Sequence, residues 1–251
     1  MEIKTKTKVK LAVSLFILSG VFYYLYYNDG WYSINNKYSN DSIRDLAVME
    51  TENPLDRIID FNNLKAINKD VAAWVYIPGT SVDYPVLIGS EDETYLKKDI
   101  DGKYNPLGSV FSYADTKLDD GHIMLFGHNM KRYQMFGELK KFLETDYMKN
   151  NRKMYLYTED KTMELDIVSI FITDENDDFF TVGRKLETSE YVEFISDMLN
   201  RNKYSDFKLG ESSLSYSDSQ TVSLVTCHGR EGTSNRLIVN GVVSKEKHYI
   251  K

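Results

Sequence analysis

Eight short apolar runs separated by turn signals constrain this chain more than any other feature of its sequence. They are Ala73–Ile77, Tyr84–Leu87, Ser109–Phe111, His122–Phe126, Lys153–Thr158, Met163–Ile172, Thr221–Cys227 and Arg236–Val243. Strands this short and this frequent close into a barrel or stack as a sandwich. Two helical segments interrupt them. One lies within Met135–Lys149, with Phe136, Leu139 and Phe142 spaced for one face; the other is near Ser189–Arg201, with Tyr191, Phe194, Ile195, Met198 and Leu199 at helical spacing. Both read as amphipathic helices facing the core. A further helix is expected upstream, where Asn53 caps and Pro54 takes the first helical position, with Leu55, Ile58, Ile59 and Ala66 along one face. The fold class is therefore mainly β with a few helices.

The N-terminus reads differently. Lys4, Lys6, Lys8 and Lys10 precede an uncharged run, Leu11–Tyr27, interrupted only by Ser14, Ser19 and Gly20. As a helix that run spans roughly 25 Å, slightly under a hydrocarbon core of about 30 Å, and Lys10 and the tyrosines at 23, 24, 26 and 27 suit the two interfaces. No small-x-small cleavage site follows, so an uncleaved anchor is preferred over a removed signal peptide. The expectation is a cytoplasmic tail over 1–10, a single-pass transmembrane anchor over 11–27, a stalk over 28–52 and an extracellular body over 53–251.

Charge and composition exclude several functions. The formal charge of the 251 residues is −7, and because the first ten are net basic the remainder is more acidic still. Such a body offers nucleic acid no electrostatic attraction. One cysteine permits neither an intrachain disulfide nor a multi-cysteine zinc site. No phosphate-cradling glycine loop is present, and Gly232-Thr233-Ser234 lacks the closing glycine of a serine nucleophile elbow. His122 and His128 have no carboxylate cluster at ligand spacing, and no cofactor or metal is expected.

A thiol and a histidine remain. Outside the cell a solitary Cys227 is either a buried, inert small residue or a thiol kept for chemistry. Of the four histidines, His228 follows the cysteine directly and would point to the opposite strand face. His248 lies in a polar tail, and His122 opens a strand. His128 ends that strand at a glycine turn, where side chains commonly line a cleft. It is either a loop histidine bonded to backbone or a partner that meets Cys227 at one barrel rim. Arg236, nine residues after Cys227 across a loop with two glycines, is either a solvated strand-start arginine or a neighbour of the cysteine in a hairpin.

These residues carry a resemblance. Ser223-Leu224-Val225-Thr226-Cys227 resembles the Thr-Leu-x-Thr-Cys signature of sortases, Arg236 falls where their arginine falls, and Gly127-His128-Asn129-Met130 resembles their histidine turn. Ala72-Ala73-Trp74, Ile77-Pro78-Gly79-Thr80, Tyr84-Pro85-Val86 and Met135-Phe136-Gly137-Glu138-Leu139 are similar to class B members, over roughly residues 53–243. Ser223 replaces the signature's threonine, and His228 is an unusual neighbour. The resemblance implies an eight-stranded sortase barrel on the outer face of a Gram-positive membrane. It also implies cleavage of a C-terminal sorting motif, Asn-Pro-x-Thr-like in class B, in secreted proteins. A thioester acyl-enzyme then passes to an amine of a cell-wall precursor. Cys227 would be the nucleophile, His128 the general acid and base, and Arg236 the holder of the substrate carbonyl and oxyanion, with Thr226 and Leu224 shaping the substrate groove or packing rather than reacting, and Asn129 assigned to the groove with them. A thiol endopeptidase that hydrolyses the thioester, and a non-catalytic tethered binding module, are the alternatives.

Overall fold

Each apolar run becomes a strand of one closed barrel. The computed structural model describes residues 2–27, 40–130, 134–184, 186, 190–203, 219–229 and 232–249. The strands are β1 (Val71–Tyr76), β2 (Asp83–Ile88), β3 (Val110–Ser112), β4 (His122–Phe126), β5 (Lys153–Tyr157), β6 (Lys161–Asp174), β7 (Thr221–Cys227) and β8 (Asn235–His248). Around the barrel the order is β8-β6-β5-β1-β2-β3-β4-β7, closing back on β8. Neighbours are antiparallel except β2/β3 and β4/β7, which are parallel. A parallel pair needs a long crossover, and residues 127–220 between β4 and β7 carry two strands and the helical segments Leu139–Leu143, Thr145–Asn150, Asp178–Arg184 and Tyr191–Asn200.

Successive residues of the strands serve two cores. Ile123 and Leu125 of β4, Val222 and Leu224 of β7, and Leu237 and Val239 of β8 fill the barrel interior. Residues of the alternate parity, Met124, Val225 and Ile238, face outward against α5 (Asp178–Arg184) and α6 (Tyr191–Asn200), which contribute Phe179, Phe194, Ile195 and Met198. Burial of a large apolar side chain contributes about 1.5–3 kcal/mol, so both faces of these strands favour apolar residues and the period-2 pattern fades. On the other side Trp74, Leu87, Tyr155 and Tyr157 pack against Phe61 and Leu64 of α3 (Phe61–Ile67) and against Ile43 and Ala47 of α2 (residues 40–47).

That second layer changes the reading of the N-terminal segments. Residues 28–39 of the expected stalk lie outside the described residues, but 40–52 pack on the barrel. Arg57, fully buried, fastens them by reaching Asp83 at 2.8 Å and Glu50 at 3.1 Å. Asn53 does cap, its side chain accepting from the Leu55 N–H at 3.2 Å with Pro54 behind it, yet the result is one 3-10 turn, Pro54–Asp56. Ile58–Ile59 is extended and pairs with Val48–Met49, as suits two β-branched residues. The helix begins afresh at Phe61, capped by Asp60. Leu55, Ile58 and Ile59 therefore do not share a helix face with Ala66. Within Met135–Lys149 the expected helix divides into a 3-10 segment, Leu139–Leu143, and α4 (Thr145–Asn150), while Phe136, Leu139 and Phe142 are fully buried as expected.

The membrane expectation is corrected. Residues Glu2–Tyr27 form a helix, α1, but among the described residues no helix is long and apolar enough to cross a membrane. Four lysines occupy its first third, and the uncharged remainder is shorter than the roughly 20 apolar residues a span needs and is diluted by serines and tyrosines. The single-pass anchor over 11–27, and the cytoplasmic and extracellular placement built on it, are overturned by this finding.

Candidate active site

Strand register brings the candidate residues to one end of the barrel. In the parallel β4/β7 pair Phe126 lies beside Val225, and the Gly127 N–H donates to the Val225 carbonyl at 3.1 Å. His128 and Cys227 each follow two residues later, so they emerge side by side from adjacent strand ends. In the antiparallel β7/β8 pair Cys227 and Arg236 are direct partners, and directly opposed side chains leave the sheet on the same face. Hydrogen bonds tie the two turns together: Thr226 Oγ1 donates to the Gly127 carbonyl at 2.7 Å, and Asn129 Nδ2 to the Cys227 carbonyl at 2.8 Å.

His128, Cys227 and Arg236 line one open cleft of about 340 Å³, within the range of ligand pockets though near its lower limit. Its apolar wall comes from Phe111, Phe126, Val225 and, from α5, Phe180; Tyr113 meets Phe126 edge-on at 4.8 Å between centroids. Cys227 is exposed at the strand end, free to meet a substrate. The His128 ring nitrogen Nε2 lies 2.9 Å from the Leu96 carbonyl. A carbonyl only accepts, so Nε2 carries the proton and Nδ1 is left as the basic nitrogen of the neutral ring. Arg236 forms an ion pair with Glu175 across the cleft edge.

The α5 wall is clamped from outside. Arg184 forks onto Asp92 and also reaches Asp115 at 2.8 Å, with its guanidinium 4.2 Å from the Tyr113 ring centre. Burial raises the Asp92 carboxyl, but the Ala114 N–H and Arg184 together hold it below the usual carboxylate range.

Thr226 borders the cleft, but Leu224, expected in the groove, is fully buried in the barrel interior. That placement is corrected by alternation, since Leu224 shares its strand face with Val222, opposite Val225. Asn129 ties the two turns rather than lining the cleft. His122 opens β4 and is buried under α5 and α6, with Nδ1 3.0 Å from the Gly183 carbonyl and Nε2 2.7 Å from Ser223 Oγ. His228 follows the end of β7, its N–H donating to the Asn235 carbonyl at 2.9 Å, and exposed His248 meets Glu246 at 3.2 Å. Sequence reasoning did not single out Glu175, Phe180, Arg184 or the Leu96 carbonyl. Among the described residues no group of three or more His, Cys, Asp or Glu side chains is placed to hold a metal ion.

Both the sequence and the fold have relatives among known proteins. Residues 75–244 match the family model of the Sortase domain. Sortase B of Listeria monocytogenes is 24% identical over 210 residues, covering 80% of this chain and 84% of its own length. Two solved structures share the fold. Sortase B of Bacillus anthracis matches with a TM-score of 0.70 at 21% identity, covering 84% of this chain and 96% of that one. A Staphylococcus aureus sortase B–substrate complex matches with a TM-score of 0.65 at 22% identity, covering 74% and 85%.

Proposed function

The chain belongs to the sortase family of cysteine transpeptidases, with relatives and fold of class B, and from that premise we propose that Cys227, His128 and Arg236 carry out its acyl transfer. The observation behind this reading is the register that sets Cys227 opposite Arg236 and beside His128 in one cleft. The substrates are secreted proteins with a C-terminal sorting signal of Asn-Pro-x-Thr type.

The Cys227 thiolate attacks the threonine carbonyl, forming the C–S bond of a tetrahedral intermediate. Arg236 donates N–H groups to the oxyanion, where losing one placed donor typically costs on the order of 10²–10³ in rate. The C–N bond then breaks as His128 passes to the departing amine the proton that the thiol gave up to Nδ1 on ionising, leaving a thioester. An amine of a cell-wall precursor reverses the sequence. His128 takes the proton from the attacking nitrogen, the new amide forms, and Cys227 is released as the thiolate.

Incubating the protein with a library of Asn-Pro-x-Thr peptides, with and without an amine acceptor, and weighing enzyme and products by mass spectrometry tests this reading. A covalent adduct at Cys227 that moves to the amine is the expected result. Hydrolysis as its sole fate would make the protein a thiol endopeptidase, and no adduct from any peptide would leave only a binding module.

A further inference from the structure

Arg236 is held in place by more than its strand. Its Nη2 pairs with the Glu175 carboxylate, and its Nη1 donates to the carbonyls of Thr233 at 2.9 Å and Asn235 at 3.1 Å. A guanidinium has five N–H donors, so Nε–H and the second Nη2–H remain for another oxygen. Glu175 is itself fixed by backbone. It follows directly on the end of β6, where Asp174 pairs with Asn235 and Thr173 with Arg236, and its N–H donates to the Ser234 carbonyl at 2.8 Å. Asp174 also accepts from the Ser234 hydroxyl. Carboxylate and guanidinium are thus carried by two strand ends stitched together, and both line the cleft.

We propose that Glu175 is a positioning residue for acyl transfer, holding the Arg236 guanidinium so that its two remaining donors face the carbonyl attacked by Cys227. This rests on the reading of Arg236 as oxyanion donor. An arginine left free would lose its rotamer freedom on meeting the oxyanion. One already anchored on three acceptors does not, which is the meaning of preorganisation. Glu175 is about half exposed, and exposed ion pairs contribute little to folding. Rate and thermal stability therefore separate the positioning role from a structural one.

The test measures single-turnover acylation of Cys227 by intact mass, using the Asn-Pro-x-Thr peptide that acylates fastest, for Glu175→Ala and Glu175→Gln. Each is made in the wild-type and Arg236→Ala backgrounds, and the ¹⁵N–Hε resonance of Arg236 is recorded. Glu175→Ala is expected to slow acylation on the order of tenfold to a hundredfold, with the melting temperature unchanged and the Arg236 resonance shifted and broadened. Glu175→Gln, which keeps an acceptor oxygen, should restore most of the rate, and in the Arg236→Ala background Glu175→Ala should change nothing further. A full rate in Glu175→Ala, an equal loss in both backgrounds, or an unchanged Arg236 resonance overturns the positioning role. Wild-type acylation by Arg236→Ala alone would instead remove the oxyanion reading beneath it.

Discussion

Cys227 and Arg236 are direct partners in the ladder between β7 and β8, so the thiol and the guanidinium leave the sheet on the same face within one residue's reach. That distance suits two different roles. Arg236 can act on Cys227 as a point charge, or it can fork two N–H groups onto a developing oxyanion. Lysine supplies the first and not the second. Arg236→Lys is therefore expected to lose 10²–10³ in acylation rate, nearly as much as Arg236→Ala, while the pH dependence of thiol alkylation stays put. Good activity in Arg236→Lys, or collapse of alkylation in Arg236→Ala, would mean the arginine acts through Cys227 itself.

Cys227 itself lies at the strand end and is exposed, outside the barrel core. Cys227→Ala should fold with stability changed by no more than about 0.5 kcal/mol and form no acyl adduct. Turnover above a few per cent of wild type would point to another nucleophile.

His128 is half-buried at the cleft, pinned through Nε2–H to the Leu96 carbonyl. The free Nδ1 is the nitrogen available to shuttle a proton. His128→Ala should cost about 10²–10⁴ in kcat/KM, whereas His228→Ala, which removes a side chain outside the cleft lining, should cost little. Equal losses from the two variants would place the base on His228.

Much of this was legible because it is local. The expected bounds His122–Phe126 and Thr221–Cys227 coincide with β4 and β7, since those runs are dominated by apolar and β-branched residues and stop at glycine or at the cysteine turn. The histidine turn and the cysteine strand were recognisable for the same reason. β6 and β8 extend beyond the expected runs into polar residues, where pairs such as Lys161–His248 continue the ladder without an apolar signal. Helix α5 gave no periodicity to read, because its seven residues bury only Phe179 and Gly183. The partners that orient the site act over long separations in sequence. Glu175 lies 61 residues from Arg236 and Leu96 lies 32 from His128, the latter acting through a backbone carbonyl that any residue could supply. Leu224 was misplaced because a signature motif does not say which of its side chains points inward.

His122 provides a test that involves no substrate. Burial under α5 and α6 pushes its imidazole down to about 4, against the pull of the Gly183 carbonyl, while an unfolded histidine titrates near 6.5. Between those two values the unfolded chain binds a proton that the folded chain refuses, so stability rises with pH across that window. The contribution is complete above about pH 6.5 and falls as pH drops towards 4, by about 3 kcal/mol in all at 1.36 kcal/mol per unit. Denaturant melts of wild type and His122→Gln over pH 4–8 isolate this term, because the carboxylates are common to both. The variant should be the less stable at pH 8, having lost part of the bonding to Gly183 and Ser223, and the gap should close or reverse towards pH 4. Acylation by the folded variant should stay well above that of His128→Ala. A gap independent of pH would show that His122 is charged in the folded barrel, or that water reaches it between the helices.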